Sequence, residues 1–254
     1  MLQNRYPKTR IRVYGIPPTV TTATALIVLL LSALPAAASP LTGPRISAAQ
    51  EVFDFGYVPQ NAFISHTFWL RNSGTETVKI QKVEPNCGCT QAPLTDSVIA
   101  VGDSIPVELI FGSRQMIGSV EKHARIFSNA AGRVPALTIR ANVVAADAPP
   151  LPLTLSPWHV IVDSTWESKT GVSSRDIQLR NGGGAPLDLS AIDIPRSGVA
   201  LSSASIHLEP QATATLGIRF TQRTTASFVR SVTLALAAPE PNRVTVPISR
   251  KGAR

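Results

Sequence analysis

Apolar and polar side chains alternate with a period of two in four stretches between residues 66 and 141. They are His66-Thr67-Phe68-Trp69-Leu70-Arg71, Thr77-Val78-Lys79-Ile80-Gln81-Lys82-Val83, Ile105-Pro106-Val107-Glu108-Leu109-Ile110-Phe111 and Ala136-Leu137-Thr138-Ile139-Arg140-Ala141. This period, carried by β-branched and aromatic residues, predicts strands with one face buried. Phe68 and Leu70 fall on one such face, and His66 falls with them. Asn72-Ser73-Gly74 ends the first stretch with residues that tolerate a turn. A second series of strands is predicted near Trp158–Val162, Ser174–Leu179, Leu187–Ile192, Ala214–Phe220, Ser231–Ala237 and Arg243–Ile248. No stretch has the period of a long amphipathic helix.

The two series are one pattern repeated. Leu70-Arg71-Asn72 followed by Ser73-Gly74 returns as Leu179-Arg180-Asn181 followed by Gly182-Gly183, 109 positions on. The same offset matches Asp54 with Asp163, Ile80 with Leu189, Val83 with Ile192, Ile99 with Leu208, Phe111 with Phe220, Val120 with Val229 and Ile139 with Ile248. A register held without gaps implies two copies of one fold, each of about 100 residues, an ordinary domain size. About seven short strands per copy, separated by turn residues, make an antiparallel sandwich. The expected fold class is therefore all-β: two tandem immunoglobulin-like antiparallel β-sandwiches after a signal peptide. The expected organisation is a signal peptide at 1–38, a first domain at 45–146, a proline-rich linker at 147–156 with its boundary near Pro149, and a divergent second domain at 157–250.

Arg5, Lys8, Arg10 and Arg12 precede the uncharged run Ala25–Leu34, which Pro35 and Ala36-Ala37-Ala38 follow. A basic segment, a short apolar core and small residues at the cleavage positions form a secretory signal cut after Ala38. The core is shorter than the roughly 20 apolar residues that span a bilayer. Export follows, to the periplasm, the cell surface or the medium. Removing the signal leaves 20 of the 24 basic residues against 16 acidic ones, so the formal charge of +8 falls to +4. The remaining basic residues are dispersed apart from Arg250, Lys251 and Arg254, which argues against nucleic-acid binding.

The first copy carries Phe53-Asp54-Phe55-Gly56-Tyr57-Val58, then His66 through Gly74, then Cys87-Gly88-Cys89-Thr90. In order and spacing these blocks are similar to a bacterial extracytoplasmic family of unknown function with an immunoglobulin-like fold and a Cys-Gly-Cys-Thr signature. The resemblance spans about residues 50–143. It implies kinship with Hydin-type and major-sperm-protein-like sandwiches, which serve mostly as binding or scaffolding modules, and it implies no activity. The second copy departs from the pattern: Asp163-Ser164-Thr165 replaces the Asp-Phe-Gly portion, and Arg196 and Gly198 stand where the cysteines would be.

Cys87 and Cys89 are the only cysteines. On an extended strand they share a face about 6.5 Å apart, at the limit of disulfide reach, or they meet in a turn centred on Gly88, whose backbone freedom can close the gap. Three readings follow: a structural pair, a thiol–disulfide pair, or two thiolates holding a soft ion such as Cu(I) with His66 or His123 as third ligand. Two thiols fall short of a structural zinc set, so the metal candidates are Cys87 and Cys89 with His66, or His123 in its place, and no cofactor is expected. His66 reads as a half-buried histidine with a backbone hydrogen bond. Phe53, Phe55, Tyr57 and Trp69 read as core or edge packing in preference to an exposed binding surface, and Asn72 and Asn181 as residues that bond their own turns. Neither a nucleophile–base–acid set nor a pair of carboxylates is apparent. The expected function is a non-catalytic exported binding or scaffolding protein of the bacterial envelope, and the alternative is redox or copper handling through Cys87 and Cys89. The expected partner is a protein or envelope component, with no stable membrane span once the signal is cleaved.

Overall fold

Every regular element in the computed structural model is a strand, across the described residues 42–145, 152–162, 173–220, 227–237 and 242–250. Among these residues no helix is long and apolar enough to cross a membrane. The expected signal at 1–38, Asp163, the start of the linker at 147–151, Lys251 and Arg254 lie outside the described residues.

The first half contains β1 (Ile46–Ala48), β2 (Val52–Pro59), β3 (Phe63–Asn72), β4 (Val78–Pro85), β5 (Thr90–Gln91), β6 (Val98–Ile99), β7 (Ser104–Gly112), β8 (Gly118–Ser128) and β9 (Leu137–Val144). The second contains β10 (Leu153–Ser156), β11 (Val160–Val162), β12 (Ser173–Asn181), β13 (Leu187–Asp193), β14 (Val199–Leu201), β15 (Ser205–Leu208), β16 (Thr213–Phe220), β17 (Phe228–Ala237) and β18 (Asn242–Arg250). Each half has a four-stranded sheet, ordered β1-β3-β7-β5 and β10-β12-β16-β14. The opposing layers are one continuous sheet, ordered β15-β13-β17-β18-β2-β9-β8-β4-β6, with β11 also pairing β18. The protein is thus all-β, as the alternation predicts.

Alternation explains the two cores. In the first, Ile64, Phe68 and Leu70 of β3 and Val107, Leu109 and Phe111 of β7 meet Phe53, Phe55, Leu137 and Ile139 of the opposite sheet. Leu153, Leu155, Ile177, Leu179, Leu216 and Ile218 build the second against Val232, Leu234, Val244 and Val246. Each large side chain so buried contributes about 1.5–3 kcal/mol.

The repeat persists in hydrogen bonds. Asn72 Nδ2 donates to Glu76 O at 2.8 Å and Ile99 O at 2.9 Å, while its Oδ1 accepts from Gly74 N at 3.0 Å. Asn181 makes the equivalent bonds to Ala185 O, Leu208 O and Gly183 N at 2.8, 3.1 and 2.9 Å. Both amides are buried. Each therefore bonds its own turn, as expected, and also ties that turn to the edge strand 27 residues on.

Two expectations change. Residues 153–156, placed in the linker, form β10, which pairs with β12 from Leu153↔Asn181 to Ser156↔Gln178. Leu153 and Leu155 alternate into the core, and Pro152 and Pro157 flank the strand where no ladder hydrogen bond is lost. Ile192 is 45% exposed although its match Val83 is 8% exposed. The reason is a bulge between Ala191 and Asp193, where the register with β17 jumps from Leu234 to Thr233.

Candidate functional site

The junction between the halves begins at Phe53-Asp54-Phe55-Gly56-Tyr57. Asp54 Oδ1 accepts from Gly56 N at 2.8 Å, and Gly56 takes φ +64°. The register of β2 on β9 shifts between Asp54 and Tyr57, so the strand is bulged there. Phe53 and Phe55 remain in the first core, whereas Tyr57 packs on the second and pairs with Val244 of β18. Arg243 Nη1 donates to Asp54 O at 2.9 Å and Thr245 Oγ1 to Phe55 O at 2.7 Å. A Cβ at Gly56 would lie 2.1 Å from Arg243 O, so only glycine permits this approach.

A second set of contacts joins β3 to β17 and to the end of β13. Ser65 N donates to Ser231 Oγ at 3.0 Å, and Ser231 Oγ donates back to Ser65 O at 2.6 Å. His66 is buried, stacked on Phe53 with ring centroids 3.7 Å apart, and its Nδ1 lies 2.8 Å from Asp193 Oδ2. The partner expected for His66 was a backbone group. The β13 bulge instead directs the Asp193 carboxylate to it, the kind of re-aiming bulges provide. Arg230 Nη1 reaches Glu108 Oε1 at 3.4 Å, and the Arg196 guanidinium lies 4.1 Å from the Trp69 ring centroid. Arg196 is the residue that stands at the position of Cys87 in the repeat.

These contacts border an open cleft of about 510 Å³, lined in part by Thr67, Trp69, Pro93, Pro106, Glu108 and Pro195. A second groove of about 520 Å³ also crosses the halves and includes Phe63, Arg114, His159 and Ser249. There, His159 Nε2 lies 2.9 Å from Ser249 Oγ, and burial pushes the imidazole below its ordinary pKa. The exposed His207 shifts the other way, held up chiefly by its hydrogen bond to Asp188 and then by Glu209.

Cys87 and Cys89 lie apart from the cleft, in the turn between β4 and β5, and are joined in a disulfide. Of the two expected arrangements, a shared strand face and a turn centred on Gly88, the chain takes the second, in which a bend and a turn bring their Cα atoms to 5.3 Å. The turn is secured by Thr90 N donating to Cys87 O and Gly112 N to Cys89 O. On its other side, Asn86 N donates to His123 O, and His123 N to Asn86 Oδ1. Thr90 Oγ1 lies 3.5 Å from Cys87 Sγ and 3.8 Å from Cys89 Sγ. The copper set is not brought together: the sulfurs are bonded to each other, His66 is turned to Asp193, and the His123 ring lies against Thr138 and Glu121. Among the described residues, no three His, Cys, Asp or Glu side chains converge as a metal cage requires.

The junction residues Asp193, Arg196, Arg230, Ser231 and Arg243 were missed in the sequence. The one available signal was Gly56, an isolated glycine in a strand pattern, which marks a bulge or a close backbone approach.

Residues 46–143 match the family described as "Protein of unknown function (DUF1573)". No curated protein is similar to the chain in sequence. Among solved structures, a protein of unknown function from Porphyromonas gingivalis is 12% identical over 82% of this chain and 100% of its own, with a TM-score of 0.33. SSP-19, an MSP-domain protein like family member of Caenorhabditis elegans, is 16% identical over 39% of this chain and 99% of its own, with a TM-score of 0.33. A PapD-like domain of human CEP192 is 13% identical over 42% of this chain and 89% of its own, also at 0.33.

Proposed function

We propose that the protein is an exported, non-catalytic binding or scaffolding module of the bacterial envelope, and that the cleft between its halves is its recognition surface. The observation that carries this reading is the junction itself. Paired serines, a histidine–carboxylate contact and a shared sheet hold the halves in one arrangement, beside an open cleft with an aromatic ring, three prolines and charged groups of both signs. A pre-formed, mainly apolar concavity with a few placed polar groups is the usual form of a binding site. Export rests on the basic and apolar leader, and the partner is a protein or envelope component.

Photoreactive cross-linking tests the surface. A photoreactive residue in place of Thr67 lines the cleft, whereas one in place of Asp176 occupies the equivalent position in the second half, outside it. The expected result, in the producing cell, is a discrete adduct from position 67 and none from position 176. Adducts of equal yield at both positions, or at neither, would count against the cleft. Export makes its own prediction: the mature chain begins at Ser39, read by N-terminal sequencing of the envelope fraction. A chain there that still begins at Met1 contradicts cleavage.

A further inference from the structure

We propose that the Cys87–Cys89 disulfide is a thiol–disulfide exchange site for dithiol substrates, with Cys87 as the attacked sulfur and Thr90 as the residue that steadies the departing thiolate. This is independent of the cleft reading, because neither cysteine lines the cleft.

The protein contains its own control for a purely structural role. In the second half the equivalent turn carries Arg196 and Gly198 and no cysteine, yet it leads into the same strand pairing: Val199 of β14 faces Phe220, as Thr90 of β5 faces Phe111. The fold thus makes this turn without a cross-link. A bridge across two positions also closes the smallest of loops and constrains the unfolded chain little. Backbone bonds on both sides already hold the turn, so its sulfurs stay in place if the bridge opens.

Its surroundings favour access from one side. Both cysteines are half-buried, and Gly88 between them is exposed, with no heavy atom within 4 Å of where its Cβ would stand. Cys89 packs on the first core and Cys87 does not. The buried Thr90 has its hydroxyl beside both sulfurs.

In the reaction, a substrate thiolate attacks Cys87 Sγ. The Cys87–Cys89 bond breaks, and its electron pair leaves on Cys89 Sγ as a thiolate, to which Thr90 donates a hydrogen bond. The new bond joins Cys87 to the substrate. The substrate's second thiolate then attacks the substrate sulfur of that mixed disulfide, closing the substrate's own disulfide and releasing the Cys87 thiolate. Both protein thiolates take up the protons that the substrate thiols lost. Two electrons pass from the dithiol to the protein disulfide.

The test uses the full mature chain, oxidised, with a reduced two-cysteine peptide as probe, and follows both species by alkylation and mass spectrometry. Thr90→Val is expected to slow exchange about tenfold, the loss of one hydrogen bond to a charged sulfur, and Thr90→Ser to restore it. With the same peptide in its disulfide form, Cys89→Ser should trap it on Cys87, whose thiolate attacks the peptide disulfide and displaces the peptide's other sulfur as a thiolate. Cys87→Ser should trap it on Cys89 about tenfold more slowly, in keeping with restricted access. The Cys87→Ser/Cys89→Ser double variant should keep its thermal midpoint within about 2 °C, the size of a small surface change. The proposal is overturned if Thr90→Val exchanges at the native rate, if the two single variants trap equally, or if the double variant loses its folded state.

Discussion

Replacing Gly56 by valine is expected to lower the stability of the protein by about 3–5 kcal/mol, in the range reserved for disruption of a packed, strained position. Two effects add. A β-branched residue at φ +64° is a backbone outlier, worth roughly 1–2 kcal/mol by itself. Its Cβ must also displace Arg243 O from 2.1 Å, which moves β18 away from β2 and takes with it the bonds of Arg243 to Asp54 O and of Thr245 to Phe55 O. Gly102 separates the two effects, since it has φ +82° and nothing within 4 Å of a Cβ. Gly102→Val should cost only the conformational part, about 1–2 kcal/mol. Urea denaturation of both variants provides the comparison, with hydrogen exchange at the Ser65 amide reporting on the junction. Equal losses for the two variants would mean that the close approach at Gly56 contributes nothing.

Asn72→Ala is expected to destabilise the first half by about 2–4 kcal/mol, because the carbonyls of Glu76 and Ile99 and the amide of Gly74 lose their partner together, partly in buried surroundings. Asn181→Ala should act alike in the second half, where the amide also reaches Glu209 O at 3.2 Å. Asn72→Asp sharpens the argument. An ionised carboxylate there cannot donate to two carbonyls, so the folded state should raise its pKa. Stability of that variant is then greatest below the ordinary aspartate value near 3.9 and falls as pH rises through the folded-state value. A denaturation midpoint for Asn72→Asp that does not fall with rising pH would contradict the donor role.

Most of the fold was legible because period-two alternation and the 109-residue repeat are both local readings of a half-buried sheet. Asn72 and Asn181 were legible for the same reason, at the end of a strand and before glycine. What escaped was whatever depends on contact between the halves. Asp193 lies one position beyond the strand expected at Leu187–Ile192, and only the bulge that exposes Ile192 turns it toward His66. Arg196 looked like a lost cysteine, whereas it covers Trp69. Residues 153–156 looked like linker because prolines surround them, although the two leucines between those prolines are core. The proximity of Cys87 and Cys89 was legible, whereas a shared strand face and a turn centred on Gly88 both stayed open, since alternation cannot distinguish a strand from the turn that follows it.

The pairing of β18 with β2 also dictates an order of events. It ties the last described strand to one of the first, and Thr245 and Phe55, which bond across it, are 190 residues apart in the chain. Strands β1 to β9 can close their own core as soon as they are available. Asp54, Phe55 and Tyr57 must wait for partners in β18. Contacts of such long range are the slow part of folding, since the chain entropy is lost before the contact repays it. A nascent or truncated chain ending before Asn242 would therefore present a completed first core with its docking edge still open, and arrival of β18 is the step that covers it.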